Sequence, residues 1–79
     1  MSAELTTKEK VVGIKQTKKA IAAGKTAMVF LAKDADPMAT EPLDTLCREN
    51  RVAVEWVPSR RELGSACSLN VGCAAAALI

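Results

Sequence analysis

A chain of 79 residues has room for one small domain, and a composition of 49% hydrophobic and 25% charged residues excludes a wholly disordered chain. The net charge is only +2, and there is no histidine, which removes the commonest general base and the commonest zinc ligand. Phe30 and Trp56 are the two aromatic residues, too few for a platform that stacks single-stranded nucleic acid. We expect one domain over residues 1–79, without a large enclosed active site.

The charges are segregated along the chain. Residues 1–33 hold seven lysines and two acids, a local charge of +5, whereas residues 34–57 hold six acids and two arginines, a local charge of −4. A basic end on an almost neutral chain favours an anionic partner, although a solvated lysine face explains the same pattern.

The first half of the chain predicts a helix, a strand and a turn. Residues 7–12 are short and mixed, and we predict no regular element there. Small and apolar side chains recur at helical spacing over residues 14–23, and Gly24 follows as a typical C-terminal glycine. The continuous apolar run over residues 26–32 predicts a buried strand, and the Asp-Ala-Asp-Pro sequence at 34–37 predicts a turn and the entry to a helix.

The second half continues the alternation of helix and strand. Leu43, Leu46 and Cys47 predict a helix that ends near Asn50, and residues 52–57 are rich in strand-forming side chains. Ser59, with a glutamate three residues later, predicts the start of a third helix. The tail over residues 71–79 is ambiguous, because its four alanines favour helix while its apolar continuity favours a buried strand. Strands alternating with helices predict an α/β fold.

Catalytic and metal-binding motifs are not recognisable. Cys47, Cys67 and Cys73 match no zinc spacing, and without histidine no base is available to activate a thiol. We therefore expect buried structural thiols, no metal, no cofactor and no enzymatic activity. We expect Trp56 in the core. The longest apolar run, residues 73–79, is far below the roughly 20 residues of a membrane helix, and the N-terminus lacks a secretory pattern, so we expect a soluble cytoplasmic protein.

One group of residues, a glycine and three lysines at the start of a predicted helix, indicates a ligand-binding site. Gly13 directly precedes a predicted helix, and Lys15, Lys18 and Lys19 share one helix face at i, i+3 and i+4. Lysines at a helix N-terminus repel one another and oppose the helix dipole, and an anionic ligand would explain that placement. The Gln16 amide can both donate to and accept from the edge of a base.

Four segments resemble a known family. They are Gly-Ile-Lys-Gln-Thr-Lys-Lys-Ala-Ile (13–21), Ala-Lys-Asp-Ala-Asp-Pro (32–37), Val-Pro-Ser-Arg-Arg-Glu-Leu-Gly-Ser-Ala-Cys (57–67) and the closing Val-Gly-Cys-Ala-Ala-Ala-Ala (71–77). In this order they resemble the kink-turn RNA-binding family, which includes the archaeal ribosomal protein of the seven-Ae type and short bacterial relatives. The resemblance implies a three-layer α/β/α sandwich with a small mixed four-stranded sheet, in which the tail is a buried strand.

The resemblance implies that the first segment enters an RNA major groove beside tandem sheared G·A pairs. Gly13 then opens the helix, Lys19 matches a lysine that faces phosphate, and Lys18 shares its face. Most family members carry Asn-Glu where this chain has Lys15 and Gln16, whereas the short bacterial branch is similar to this chain at that pair. Lys15 can donate to guanine O6 or N7, and Gln16 retains an amide.

The remaining positions implied by the resemblance surround a nucleotide that is flipped out of the RNA. Asp36 matches an acidic position beside this nucleotide, and Arg60 matches a basic one. Leu69, Asn70 and Val71 fall where the family has its second recognition loop, whose apolar side chains shelter the nucleotide.

Two functions of different classes remain open. The first is a non-catalytic, monomeric RNA-binding protein that recognises and stabilises kink-turns in ribosomal RNA, a riboswitch or another structured RNA, with the ribosome as one candidate partner and no membrane. The second is an accessory ribosomal or protein-interaction module whose RNA contact is weak. The second function remains open because Lys15 and Gln16 replace the Asn-Glu pair that most family members carry.

Overall fold

The structure is a computed structural model that describes residues 9–79, and these residues form four strands in one mixed sheet and three helices. The sheet order is β1-β4-β2-β3, with β4 antiparallel to both of its neighbours and β2 parallel to β3. The elements in chain order are β1 (Lys10–Val12), α1 (Ile14–Ala22), β2 (Met28–Ala32), α2 (Pro37–Glu49), β3 (Ala53–Val57), α3 (Arg60–Ala66) and β4 (Ala75–Leu78).

Successive side chains of the central strands point to opposite faces of the sheet, so each face has its own core. Val29 and Leu31 pack with residues of α1 and α2 on one face. Phe30 and Ala32 pack with residues of α3 on the other face. The predicted three-layer α/β/α sandwich with a mixed four-stranded sheet is confirmed.

The alanine-rich tail contains a strand, as the resemblance implies. Ala75, Ala76 and Ala77 are completely buried, and their strand lies between β1 and β2. Alanine is a weak strand former, but helices cover both faces of β4, and methyl side chains let them approach closely. The strand is shorter than the predicted tail, because residues 71–74 form a loop that leads into it.

One strand and one side chain differ from the sequence-based expectation. Residues 10–12, for which no element is predicted, form β1 by pairing with β4. The helix α2 begins at Pro37, at the helix entry that residues 34–37 predict and six residues before its apolar stripe, because Asp36 caps it. The Asp36 Oδ1 atom accepts a hydrogen bond of 3.0 Å from the Met38 N–H, and proline suits the first helical position. Trp56, expected in the core, is 39% exposed, because β3 is an edge strand.

All three cysteines are buried, as expected. Burial raises the pKa of the Cys47 thiol, and the nearby Asp44 carboxylate raises it further. Burial also raises the pKa of the Cys67 thiol, with Cys73 as a second cause. We expect slow reaction of all three thiols with a maleimide at pH 7.5 in the folded protein and fast reaction in denaturant, because burial keeps the reagent away from all three sulfur atoms. Fast labelling of the folded protein would contradict this assignment.

Candidate nucleic-acid interface

Four connections meet at one end of the sheet, which we call the interface end. They are Gly13, the loop 33–36, the residues 58–59 and the loop 67–74. They meet because the parallel strands β2 and β3 end there, while β1 ends and the antiparallel β4 begins beside them. Backbone hydrogen bonds join them: Gly13 N–H to the Ala75 oxygen (2.8 Å), Ala32 N–H to the Ala74 oxygen (3.0 Å) and Lys33 N–H to the Val57 oxygen (2.8 Å).

Gly13 orients the N-terminus of α1 at this end. Its φ of +98° lies in a region that favours glycine, and its N–H is held by β4. No side chain caps α1, so the N–H groups of its first turn keep their capacity to bind a ligand. Lys15 and Gln16 belong to this turn, and both side chains are exposed. Unpaired N–H groups, the positive end of the helix dipole and a lysine together suit a phosphate or an electronegative base edge.

The other two lysines of the predicted face lie about one turn, or roughly 5 Å, further along the helix. Lys18 and Lys19 are both exposed, but they flank different neighbours. Lys18 lines a groove beside α2 with Leu46. Lys19 lines a recess beside the C-terminal Ile79. The basic face therefore extends from the interface end down the exposed side of α1.

Arg60 begins α3 at the interface end and is joined to the loop that follows β2. Its backbone N–H donates to Asp34 Oδ1 at 2.7 Å, and its Nε lies 3.5 Å from the same oxygen. Asp36, in the same loop, caps α2. The two predicted residues thus lie in adjoining segments, and Asp34, which the sequence indicates only as a turn residue, connects these segments. No local signal identifies Asp34, since its partner is 26 residues away.

The loop 68–72 is held against α3 by backbone contacts. The Leu69 N–H donates to the Gly64 oxygen at 2.8 Å, and the Cys73 N–H donates to the Arg60 oxygen at 2.9 Å. A side chain on Gly64 would overlap the backbone oxygen of Val71, so glycine is needed for this close approach. Sequence reasoning missed Gly64, because a single glycine inside a helix carries no signal about a distant loop.

The three predicted residues of this loop differ in exposure. Val71 is 71% exposed, and Asn70 is exposed as well. Leu69 is half-buried and packs against the core on the α3 face. Leu69 therefore contributes to the core as well as to the loop, because the loop bends back onto α3. Val71 remains available to a ligand.

Residues 2–79 match the model of the ribosomal protein L7Ae/L30e/S12e/Gadd45 family. The chain belongs to this family. An RNA-binding protein of Geobacillus sp. (strain WCH70) is 44% identical over 69 residues, which are 87% of this chain and 84% of that protein. The RNA-binding protein YbxF of Geobacillus stearothermophilus is 39% identical, with the same coverage of both chains.

Two solved structures have the same fold as this chain. The Giardia lamblia 15.5kD RNA binding protein superposes with a TM-score of 0.82 at 28% identity, over 87% of this chain. This chain spans only 58% of that longer protein. A Bacillus halodurans protein of unknown function superposes with a TM-score of 0.80 at 25% identity, over 87% of this chain and 69% of its own.

Residues 9–79 of this family member contain no group of three or more potential metal ligands, and no helix among them is long and apolar enough to cross a membrane. At the interface end, the uncapped start of α1 with its lysines lies near the loop 68–72, which carries the exposed Val71. The predicted residues there are Gly13, Lys15, Gln16, Asp36, Arg60, Leu69, Asn70 and Val71, with Lys18 and Lys19 further along α1.

Proposed function

We propose that the protein binds RNA without catalysing a reaction and recognises kink-turns, the sharply bent duplex elements that contain tandem sheared G·A pairs. The observation that carries this proposal is the meeting of the uncapped, lysine-bearing start of α1 with the loop 68–72 at one end of the sheet. Membership of the family and the RNA-binding names of its relatives support it.

In the proposed complex, the start of α1 enters the major groove of the RNA. Lys15 donates to guanine O6 or N7, Gln16 offers its amide to the neighbouring base edge, and the N–H groups of the first turn face electronegative atoms. Lys18 and Lys19 contact phosphates, which a sharp bend brings close together. Phosphate contacts orient the protein, whereas the contacts of Lys15 and Gln16 carry the specificity.

The loop 68–72 covers a nucleotide that the bend expels from the helix. Val71 supplies an exposed apolar surface for the base, and Asn70 offers an amide to its edge. Arg60 and Asp36 flank this nucleotide on the other side. A splayed nucleotide recognised in this way needs no aromatic platform, which agrees with the scarcity of aromatic residues.

The proposed activity is a shift in the population of RNA conformations. A protein that binds only the kinked form increases that form in proportion to its preferential affinity. The experiment uses a kink-turn RNA with donor and acceptor dyes on its two arms in low magnesium. Energy transfer should rise saturably as protein is added. Binding without a change in energy transfer would contradict the proposal and favour a weak, unspecific RNA contact.

Replacing single lysines should distinguish phosphate contacts, which affect all RNAs equally, from base contacts, which give the preference for kink-turns. We expect Lys19→Ala to weaken binding of all RNAs tested and to reduce the slope of log affinity against log salt by about one unit. We expect Lys15→Ala to reduce in addition the preference for a kink-turn over an RNA without G·A pairs. Titrations at four salt concentrations with both RNAs measure these effects. An unchanged slope would remove Lys19 from the phosphate contacts.

Replacing Val71 and replacing Leu69 should have different effects on RNA affinity and on thermal stability. Val71→Ala should reduce RNA affinity about tenfold and leave the melting temperature unchanged, because the side chain is exposed and contacts only the expelled base. Leu69→Ala should lower both the RNA affinity and the melting temperature, because Leu69 also packs against the core. Thermal unfolding and RNA titration of both variants check this. Full affinity in a folded Val71→Ala variant would exclude the loop from the site.

We further infer that the protein acts as a cytoplasmic monomer and that its RNA is part of the ribosome or of another structured RNA. Sedimentation of a cell lysate through a sucrose gradient tests whether the bound RNA is ribosomal. Co-sedimentation with ribosomal subunits that Lys15→Ala abolishes would support ribosomal RNA, and recovery in the light fractions alone would favour a smaller RNA.

A further inference from the structure

The free edge of β3 carries features that the RNA proposal does not use. Among the described residues, β3 pairs only with β2 and forms one border of the sheet. The Ala53 N–H donates to the Ala27 oxygen, and the Val57 oxygen accepts from Lys33. Because backbone groups alternate in direction along a strand, the N–H and C=O groups of Val54 and Trp56 point away from β2, toward the open border.

A recess of about 240 Å³ lies beside this border, and its lining is acidic and aromatic. Trp56 is 39% exposed there, although it is one of only two aromatic residues in the chain. Glu55 and Glu62 supply two carboxylates, and neither forms an ion pair with a cation of residues 9–79. Pro58 completes the wall. Glu55 and Trp56 are successive strand residues, so their side chains point to opposite faces of the sheet. The two carboxylates attract a lysine or arginine side chain on the α3 face, and the indole ring attracts a second cation on the other face.

We propose that the edge of β3 is a docking site for an extended basic segment of a protein partner. The segment adds a strand to the sheet by hydrogen bonding to the outward groups of Val54 and Trp56. Alternate side chains of the segment then fall on the two faces of the sheet, where one cation contacts Glu55 and Glu62 and another contacts the ring of Trp56.

Charge complementarity selects this occupant over two others. Glu55 and Glu62 would repel phosphates, so the edge is unsuited to RNA even though it adjoins the interface end. A second copy of this chain that paired β3 with β3 in antiparallel register about Glu55 would place like charges opposite each other, which destabilises strand pairing. Residues 34–57 carry a local charge of −4, from six acids and two arginines, and this acidic region includes the whole of β3.

The single tryptophan makes the site directly measurable. The probe is a capped eight-residue peptide, Arg-Arg-Val-Val-Arg-Arg-Val-Val, which places arginines on both faces of an added strand, and it is added to the full chain without RNA. We expect a saturable change in Trp56 emission, and slower hydrogen exchange at the Val54 and Trp56 amides than in the free protein. The same peptide with glutamate for arginine should bind at least tenfold more weakly, and so should one with proline for valine, because proline removes the N–H groups that pair with the edge.

Charge reversal tests the role of the two carboxylates. The double variant Glu55→Lys, Glu62→Lys should bind the arginine peptide at least tenfold more weakly. The matched control is Glu41→Lys, Glu49→Lys, which makes the same charge change at two exposed positions of α2, and it should bind like the wild type. Equal weakening in both variants, or no protection of the two amides, would overturn the proposal. Amide protection that rises with protein concentration in the absence of peptide would instead identify a second copy as the occupant and also overturn it.

Discussion

Replacing Gly64 with alanine should displace the loop 68–72 and thereby weaken both folding and RNA binding. The added Cβ would overlap the backbone oxygen of Val71, and a backbone atom can move only if the loop moves with it. We expect the free energy of unfolding to fall by about 1–3 kcal/mol, the usual cost of overpacking. For a domain of this size each kcal/mol lowers the melting temperature by roughly 4–8 °C. RNA affinity of the folded variant should fall at least tenfold, because Val71 and Asn70 are displaced.

Ser65→Ala is the control for this replacement. Ser65 is the next residue of α3 and is exposed, so its loss should change stability by no more than about 0.5 kcal/mol and should leave RNA affinity unchanged. Thermal unfolding followed by circular dichroism and RNA titration below the melting temperature give both quantities. A Gly64→Ala variant with wild-type stability and affinity would show that α3 does not hold the loop in its binding position.

Reversing two charges on α1 should nearly abolish RNA binding. In the double variant Lys15→Glu, Lys19→Glu, two cation–phosphate or cation–base contacts are lost and two repulsive ones are introduced. Several kcal/mol of lost affinity correspond to a decrease of about 100-fold or more at 0.1 M salt. Both side chains are exposed, so the fold should persist. RNA titration with fluorescence anisotropy measures the change, and circular dichroism checks the fold.

The matched control is Arg48→Glu, Arg51→Glu. These two residues are exposed in the last turn of α2 and in the turn before β3, at the end of the sheet opposite the interface end, and the net charge of the control variant equals that of the test variant. The control should lose less than about fivefold in affinity, since charges beyond a Debye length of about 10 Å are largely screened at 0.1 M salt. An equal loss in both variants would mean that net charge governs binding and that α1 is not the interface.

Local sequence signals were sufficient for most of the helices and strands. Gly24 ends α1 with a φ of +69°, and the Ser59 hydroxyl accepts a hydrogen bond from the Glu62 N–H at 3.1 Å at the start of α3. In contrast, β1 has only three residues and exists because β4 lies beside it. Local propensity alone left β4 undecided, because its alanines are buried by elements distant in the sequence.

The long first part of α2 and the exposure of Trp56 are both missed by the apolar pattern, for identifiable reasons. The Asp-Pro sequence before α2 contains a cap and a favourable first residue, but the apolar stripe begins only at Leu43, and Pro42 lies inside the helix. An amphipathic pattern therefore underestimates its length. Trp56 lies in a strand that is apolar enough to suit the centre of a sheet, and no local feature of that strand reveals that it forms the border.

Sequence patterns indicate those parts of the candidate site that are continuous in sequence. Gly13, Lys15 and Gln16 form one short motif, and the physics of a helix N-terminus identifies them together. Asp34 and Gly64 act through contacts with segments far along the chain, with Arg60 and with the loop 68–72. Such roles depend on the fold, so only the three-dimensional structure reveals them.

Recognition of tandem G·A pairs is the central claim, and one comparison of affinities tests it most directly. The wild-type protein is titrated with a kink-turn RNA and with the same RNA in which Watson–Crick pairs replace the G·A pairs, at equal salt and magnesium. Each mismatched position of a specific nucleic-acid site costs about 1–3 kcal/mol, so the account predicts that the replaced RNA binds at least 100-fold more weakly. Equal affinity for the two RNAs would contradict it.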